Sequence, residues 1–147
     1  MAITALVYAR SSWSLANKEA DLDTDAMKAQ LHTSTYVPAQ GTHRYRSDLT
    51  NELSTASGYT AAGLAMTTLA LSNPSGNIIK WAADNAVWTI TTPSITFRYL
   101  VTYDGTPGTD ATRPLIHYVD TGGDQTIQST TLTFSWNASG IVTWTAS

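Results

Sequence analysis

Acids, imidazoles and aromatic rings are the side chains of this sequence with chemistry to offer. Asp21, Asp23 and Asp25 have the alternate spacing that opens a calcium loop. Such a loop takes oxygen ligands at positions 1, 3 and 5, a glycine at 6 for its sharp turn and a bidentate glutamate at 12. Position 6 here is Ala26 and position 12 is His32, so the motif fails at both diagnostic places and the stretch reads as a solvated acidic loop. His32, His43 and His117 are the only imidazoles, and none stands three or four residues from another, the helical spacing that turns two toward one metal. His117, between Ile116 and Tyr118, reads as a polar-face residue of a strand. Glu19 and Glu52 are the only glutamates, in segments read as loop or helix, and they give no sign of the paired carboxylates a glycosidase sets across a sugar cleft.

Nucleophilic hydrolysis finds no support either. The chain has no Gly-x-Ser-x-Gly elbow and no Ser-x-x-Lys. Gly105 and Gly108 lack the further glycines and the following helix of a phosphate-binding loop. Zero cysteines remove disulfides, thiolate catalysis and cysteine-based metal centres. The expectation is a protein that is not an enzyme, with no catalytic, cofactor-binding or metal-ligating residue. The five tryptophans (Trp13, Trp81, Trp88, Trp136, Trp144) and seven tyrosines remain, because aromatic rings stack on sugars and also dominate cores and interfaces. In strands such as Val87-Trp88-Thr89-Ile90, core or subunit contact is the favoured reading over a carbohydrate site. Asn137-Ala138-Ser139 matches a glycosylation acceptor but reads as a turn.

Composition sets the frame that must hold these residues. A chain of 147 residues has the size of one domain, 42% apolar content supplies a packed interior, and 13% charged content is about half of the ordinary share. Threonine is the commonest residue, and its β-branch suits a pleated surface. A net charge of −3 with eight scattered Lys and Arg gives no field for a polyanion, so no nucleic-acid partner is expected. No apolar run reaches the length of a membrane span and the N-terminus lacks the basic start of a secretion signal, so a protein made in a cytoplasm, with no membrane partner, is expected.

The elements follow from periodicity and turn residues. Ile3–Ala9 reads as a largely buried first strand, Trp13–Asp25 as a turn around Ser14 and then acidic loop, and Met27–His32 as a half-buried strand with Met27, Ala29 and Leu31 inward. Tyr36–Arg46 reads as a long loop. The spacing of Ser47, Leu49, Glu52 and Leu53, ended by Ser57-Gly58, predicts the one short helix. Strands then follow over Leu64–Leu71, Ile78–Trp81, Val87–Thr91, Ile95–Tyr103, Pro114–Asp120, Thr130–Trp136 and Ile141–Thr145. Turn clusters such as Asn73-Pro74-Ser75-Gly76, Asp104-Gly105 and Gly122-Gly123 separate them. Short strands punctuated this regularly predict an all-β, antiparallel β-sandwich as a single domain over 1–147. Trp13–Asp25 and Tyr36–Arg46 show scattered apolar residues without an evident local core, which marks 1–46 as an arm or attachment region.

The phrases Ser57-Gly58-Tyr59-Thr60-Ala61-Ala62-Gly63, Asp84-Asn85-Ala86-Val87-Trp88-Thr89, Phe97-Arg98-Tyr99-Leu100-Val101-Thr102-Tyr103-Asp104 and Arg113-Pro114-Leu115-Ile116-His117-Tyr118-Val119-Asp120 resemble a class of small bacteriophage virion proteins. The resemblance runs from about Met27 to the C-terminus and rests on strand-and-turn phrases, so it transfers no functional residue. It implies a jelly-roll-like β-sandwich on the virion: a decoration or cement protein on the capsid, or an accessory of neck or tail. The expected partners are itself, as a homo-oligomer with a trimer the anticipated state, and other virion proteins such as the major capsid protein. The alternative is a carbohydrate- or receptor-binding module of a neck, tail or spike.

Overall fold

The computed structural model describes residues 2–146, and Met1 and Ser147 lie outside them. Along the chain come β1 (Thr4–Val7), α1 (Ala9–Ala16), β2 (Met27–His32), β3 (Leu64–Ala65), β4 (Ala70–Ser75), β5 (Ile78–Ala82), β6 (Ala86–Thr89), β7 (Ile95–Asp104), β8 (Leu115–Ile127), β9 (Thr131–Phe134) and β10 (Val142–Thr145). The strands form a five-stranded sheet in the order β1-β8-β7-β2-β3, a three-stranded sheet β10-β5-β4 and a ribbon β6-β9. Every pairing between them is antiparallel. The architecture is an antiparallel β-sandwich with one α-helix.

Alternation along β2 explains how the layers meet. Met27, Ala29 and Leu31 point into a core shared with Phe97 and Leu100 of β7, Ile116 and Val119 of β8, Trp81 of β5, Trp88 of β6 and Val142 of β10. The other face of the five-stranded sheet is also buried. There Tyr8, Tyr36, Tyr99, Val101, Tyr103, Leu115 and Tyr118 pack into a second, tyrosine-rich core, with Leu6 and Leu49 against it, while Leu15 of α1 and the following Ala20 and Leu22 join the first core. Side chains on both faces of β7 are buried from Tyr99 to Asp104. A strand covered on both sides reads as a near-continuous apolar run.

The N-terminal third differs from the expectation. β1 is an edge strand paired with β8, with Thr4 and Ala5 exposed, so the first strand is not largely buried. The α-helix lies at Ala9–Ala16, where small Ser11 and Ser14 are the buried residues. The segment 47–57 forms no α-helix. Only Arg46–Asp48 makes a 3-10 turn, because Asn51 and Ser57 take left-handed backbone conformations and Glu52 pairs as a bridge with His32. Ala20, Leu22 and Tyr36 are buried against this chain itself, so the stretches read as arms do have a local core. The expected strand over 64–71 is split into β3 and the start of β4, and Asn73-Pro74-Ser75 belongs to β4 rather than to a turn. Gly122-Gly123 lies inside β8, where its register with β7 slips.

Gly63 shows how tightly the irregular segment after Glu52 is pressed on the sheet. Its φ is +75°, and a side chain there would collide with the carbonyl oxygen of Ala29 in β2. Strained backbone and steric conflict each cost on the order of 1–3 kcal/mol. Gly63→Ala is expected to lower unfolding stability by about 2–4 kcal/mol in urea titrations, whereas Gly41→Ala, with open space around it, changes it little.

Candidate functional site

The polar residues of β2 emerge on the tyrosine face, where the segment 43–63 covers them. His32 is fully buried; its Nδ1 lies 2.7 Å from the carbonyl of Thr50 and its Nε2 2.7 Å from Gln30 Nε2. A carbonyl only accepts, so Nδ1 carries the proton and Nε2 accepts from Gln30. The Gln30 oxygen in turn accepts from Arg46 Nε at 3.1 Å. Arg46 reaches Glu52 at 2.9 Å and Asp110 at 2.5 Å, and its guanidinium lies over the Tyr103 ring. Glu52 also accepts from Tyr59 Oη at 2.8 Å and from the backbone N–H of Ala62 at 2.6 Å, and Asp110 is shared with Arg113. The hydrogen bond from Arg46, against a smaller opposing effect of burial, holds the Asp110 carboxyl below its usual range. Every member has a partner within the chain, and the network fastens the loops to the sheet.

The remaining expected residues also fall into structural places. His117 is buried rather than set on a polar face. Its ring packs edge-on to Trp81 and Trp136, and its Nδ1 lies 2.5 Å from the Thr102 hydroxyl. A hydroxyl beside an imidazole is the start of a nucleophile and base, but Thr102 is wholly buried. His43 meets the Tyr36 hydroxyl at 3.0 Å, far from forming a cluster with the other two: among the described residues no three His, Asp or Glu side chains gather as a metal site. Glu19 is taken by Arg44 at 2.7 Å. In the acidic loop Asp21 and Asp23 are exposed and Asp25 is half-buried, with the Asp21 N–H donating to the Asp25 carboxylate at 2.7 Å. Trp81 and Trp88 are core residues, while Trp13 is 55% exposed with the Arg44 guanidinium over its ring.

What the sequence left unseen is the shape of the surface. A groove of about 580 Å³ runs between the sheets, walled by Phe97, His117, Ile127, Phe134 and Trp136. A second, of about 670 Å³, lies between α1 with the acidic loop and the three-stranded sheet, lined by Leu15, Leu71, Ile79 and Trp144. Leu71 and Ile79 are both exposed. Beside them β4 has every residue exposed and is paired on one side only, by β5. An edge of this kind presents unpaired backbone donors and acceptors ready to join another chain. Comparison with protein-family profiles, with curated proteins and with solved structures returns no match for this chain.

Two expectations follow from the buried network. Arg46→Ala strands Glu52 and Asp110 and is expected to cost about 3 kcal/mol or more in denaturant unfolding. Burial depresses the imidazoles of His32 to about 4 and of His117 to about 3. Between those values and the unfolded 6.5, the native state binds fewer protons than the unfolded chain, so stability falls as pH drops through that window. His32 alone accounts for up to about 3 kcal/mol of the loss. Denaturation series from pH 7 to 4 are expected to show this decline, less steep in His32→Gln than in the parent.

Proposed function

We propose that the chain is a structural protein of a bacteriophage virion, of the capsid-decoration type, which acts by being bound and performs no catalysis. The observation that carries the reading is the free edge β4 with the exposed apolar pair Leu71 and Ile79 beside it. β4 itself carries no charged residue that would hold a neighbouring strand off. Pro74 and the register shift between Ser72 and Ser75 interrupt the C-terminal half of β4, so the stretch Ala70–Ser72 is the part of the edge offered to a second copy or to a capsid subunit. Buried area repeated over symmetric copies then supplies the energy of attachment.

A second reading, a carbohydrate- or receptor-binding module, rests on the exposed indole of Trp13, held beside Arg44 and Tyr45, since a fixed aromatic face suits a sugar ring.

Light scattering on the purified protein is expected to give a closed oligomer, and sedimentation with capsids lacking the protein is expected to bring it down with the particle. Leu71→Asp together with Ile79→Asp, at unchanged melting temperature, is expected to release both. A strict monomer that ignores capsids, yet binds a glycan array in a Trp13-dependent way, establishes the second reading instead.

A further inference from the structure

Asp104, at the end of β7, is the one Asp or Glu among the described residues that is wholly buried, with 0% of its surface exposed. Ionised carboxylates out of water require a compensating cation or a full set of donors. Glu19, Glu52, Asp110 and Asp120 each have an arginine; Asp104 has none. Its Oδ1 accepts from the N–H of Thr106 at 2.8 Å, and its Oδ2 has no partner at all. The side chain facing it is another acid. β2 begins opposite the end of β7, Met27 against Asp104, and the Gly105 N–H donates to the Ala26 carbonyl at 2.9 Å while the Ala26 N–H donates to the Thr106 hydroxyl at 2.8 Å. These bonds clamp Asp25 onto Asp104, so that the two carboxyls lie within hydrogen-bonding reach. Asp25 is itself steadied by the Asp21 N–H and lines the groove beneath α1.

We propose that Asp25 and Asp104 form a binding site for a hard divalent cation, with calcium the best-fitting ion. Two carboxylates held together without a counter-charge are a hard-oxygen donor pair, and calcium tolerates the irregular geometry that a loop and a strand end provide. Among the described residues no third acid or imidazole joins them, so the remaining ligands of such a site would be water and backbone oxygens. That places the affinity in the range of weak extracellular modules, a dissociation constant on the order of 10⁻⁴–10⁻³ M. Burial, and then the neighbouring Asp25, push the Asp104 carboxyl above its usual range, as expected of an acid without a counter-charge. The failed loop spacing in Asp21–His32 does not bear on this site, since its deepest ligand comes from β7.

Melting and titration calorimetry of the full chain at pH 7.5 with calcium chloride, magnesium chloride as the comparison, test the site. The expected result is one-site binding of calcium and a melting temperature raised by several degrees. Asp104→Asn keeps the acceptor for Thr106 and supplies an N–H toward Asp25; it is expected to be more stable than the parent without calcium and to lose the response to it. Asp25→Asn is expected to lose the response as well. If neither ion moves the parent while Asp104→Asn is still the more stable chain, the pair only shares a proton and the proposal is wrong. A calcium response that survives in both variants is equally fatal to it.

Discussion

Burial of the five-stranded sheet on both faces governs the rest of this molecule. One face meets the three-stranded sheet and the β6-β9 ribbon through Trp81, Trp88, Phe97 and Leu100; the other meets the N-terminal third through Tyr8, Tyr36 and Tyr103. Most of the apolar surface of β2, β7 and β8 is withdrawn from water, at roughly 25 cal/mol for each Å² buried. That strand core needs no disulfide to persist, which suits a chain without cysteine.

The same burial dictates the chemistry of the interior. Alternation along a doubly covered strand also carries polar side chains inside: Gln30, His32, Thr102, Asp104 and His117 are all buried. A buried polar group without a partner costs on the order of 1–3 kcal/mol, and the fold meets that demand by drawing loops over the sheet. Thr50 receives the His32 proton, Arg46 reaches Gln30, and Glu52 holds Arg46, Tyr59 and Ala62 together. The irregular path of residues 43–63 is thus set by satisfying the sheet beneath it. Among the buried carboxylates Asp104 is where this compensation stops, since its Oδ2 has no donor and its charged neighbour is Asp25.

Outside the core the economy is different. β4 is exposed along its whole length and the apolar strip of Leu71, Ile79 and Trp144 continues outward from the core. The two layers differ accordingly: the five-stranded sheet is buried on both faces, while the three-stranded sheet leaves β4 exposed along one edge, and the proposed assembly rests on that edge. Assembly by strand edges fits a surface poor in charge, because few charged groups need to be desolvated when it is covered.

Much of the fold was legible from residue order. β-Branched and aromatic runs between turn residues placed β2, β5, β6, β7, β9 and β10 within a few positions, because those strands follow period two between clear breaks. The helix was misplaced, since Ser11 and Ser14 carry no apolar signal yet face the sheet, and since Asn51 and Ser57 leave the helical region under tertiary constraint. His117 reads as a polar-face residue, yet β8 has no polar face there, since side chains on both faces are buried from Leu115 to Val119, and Ile116 is an extra residue between the pairings Tyr103 with Leu115 and Thr102 with His117. A bulge has no signature in an alternation pattern until the partner strand is known. By itself, then, the sequence determined the class of fold, the strands and the lack of thiol chemistry, all of which depend on neighbours along the chain. Which faces are buried, how Arg46 gathers its acids and where Asp25 meets Asp104 were decided by tertiary structure alone, because those contacts join residues from 6 to 79 positions apart through the pairing of β2 with β7 and the loops laid over it.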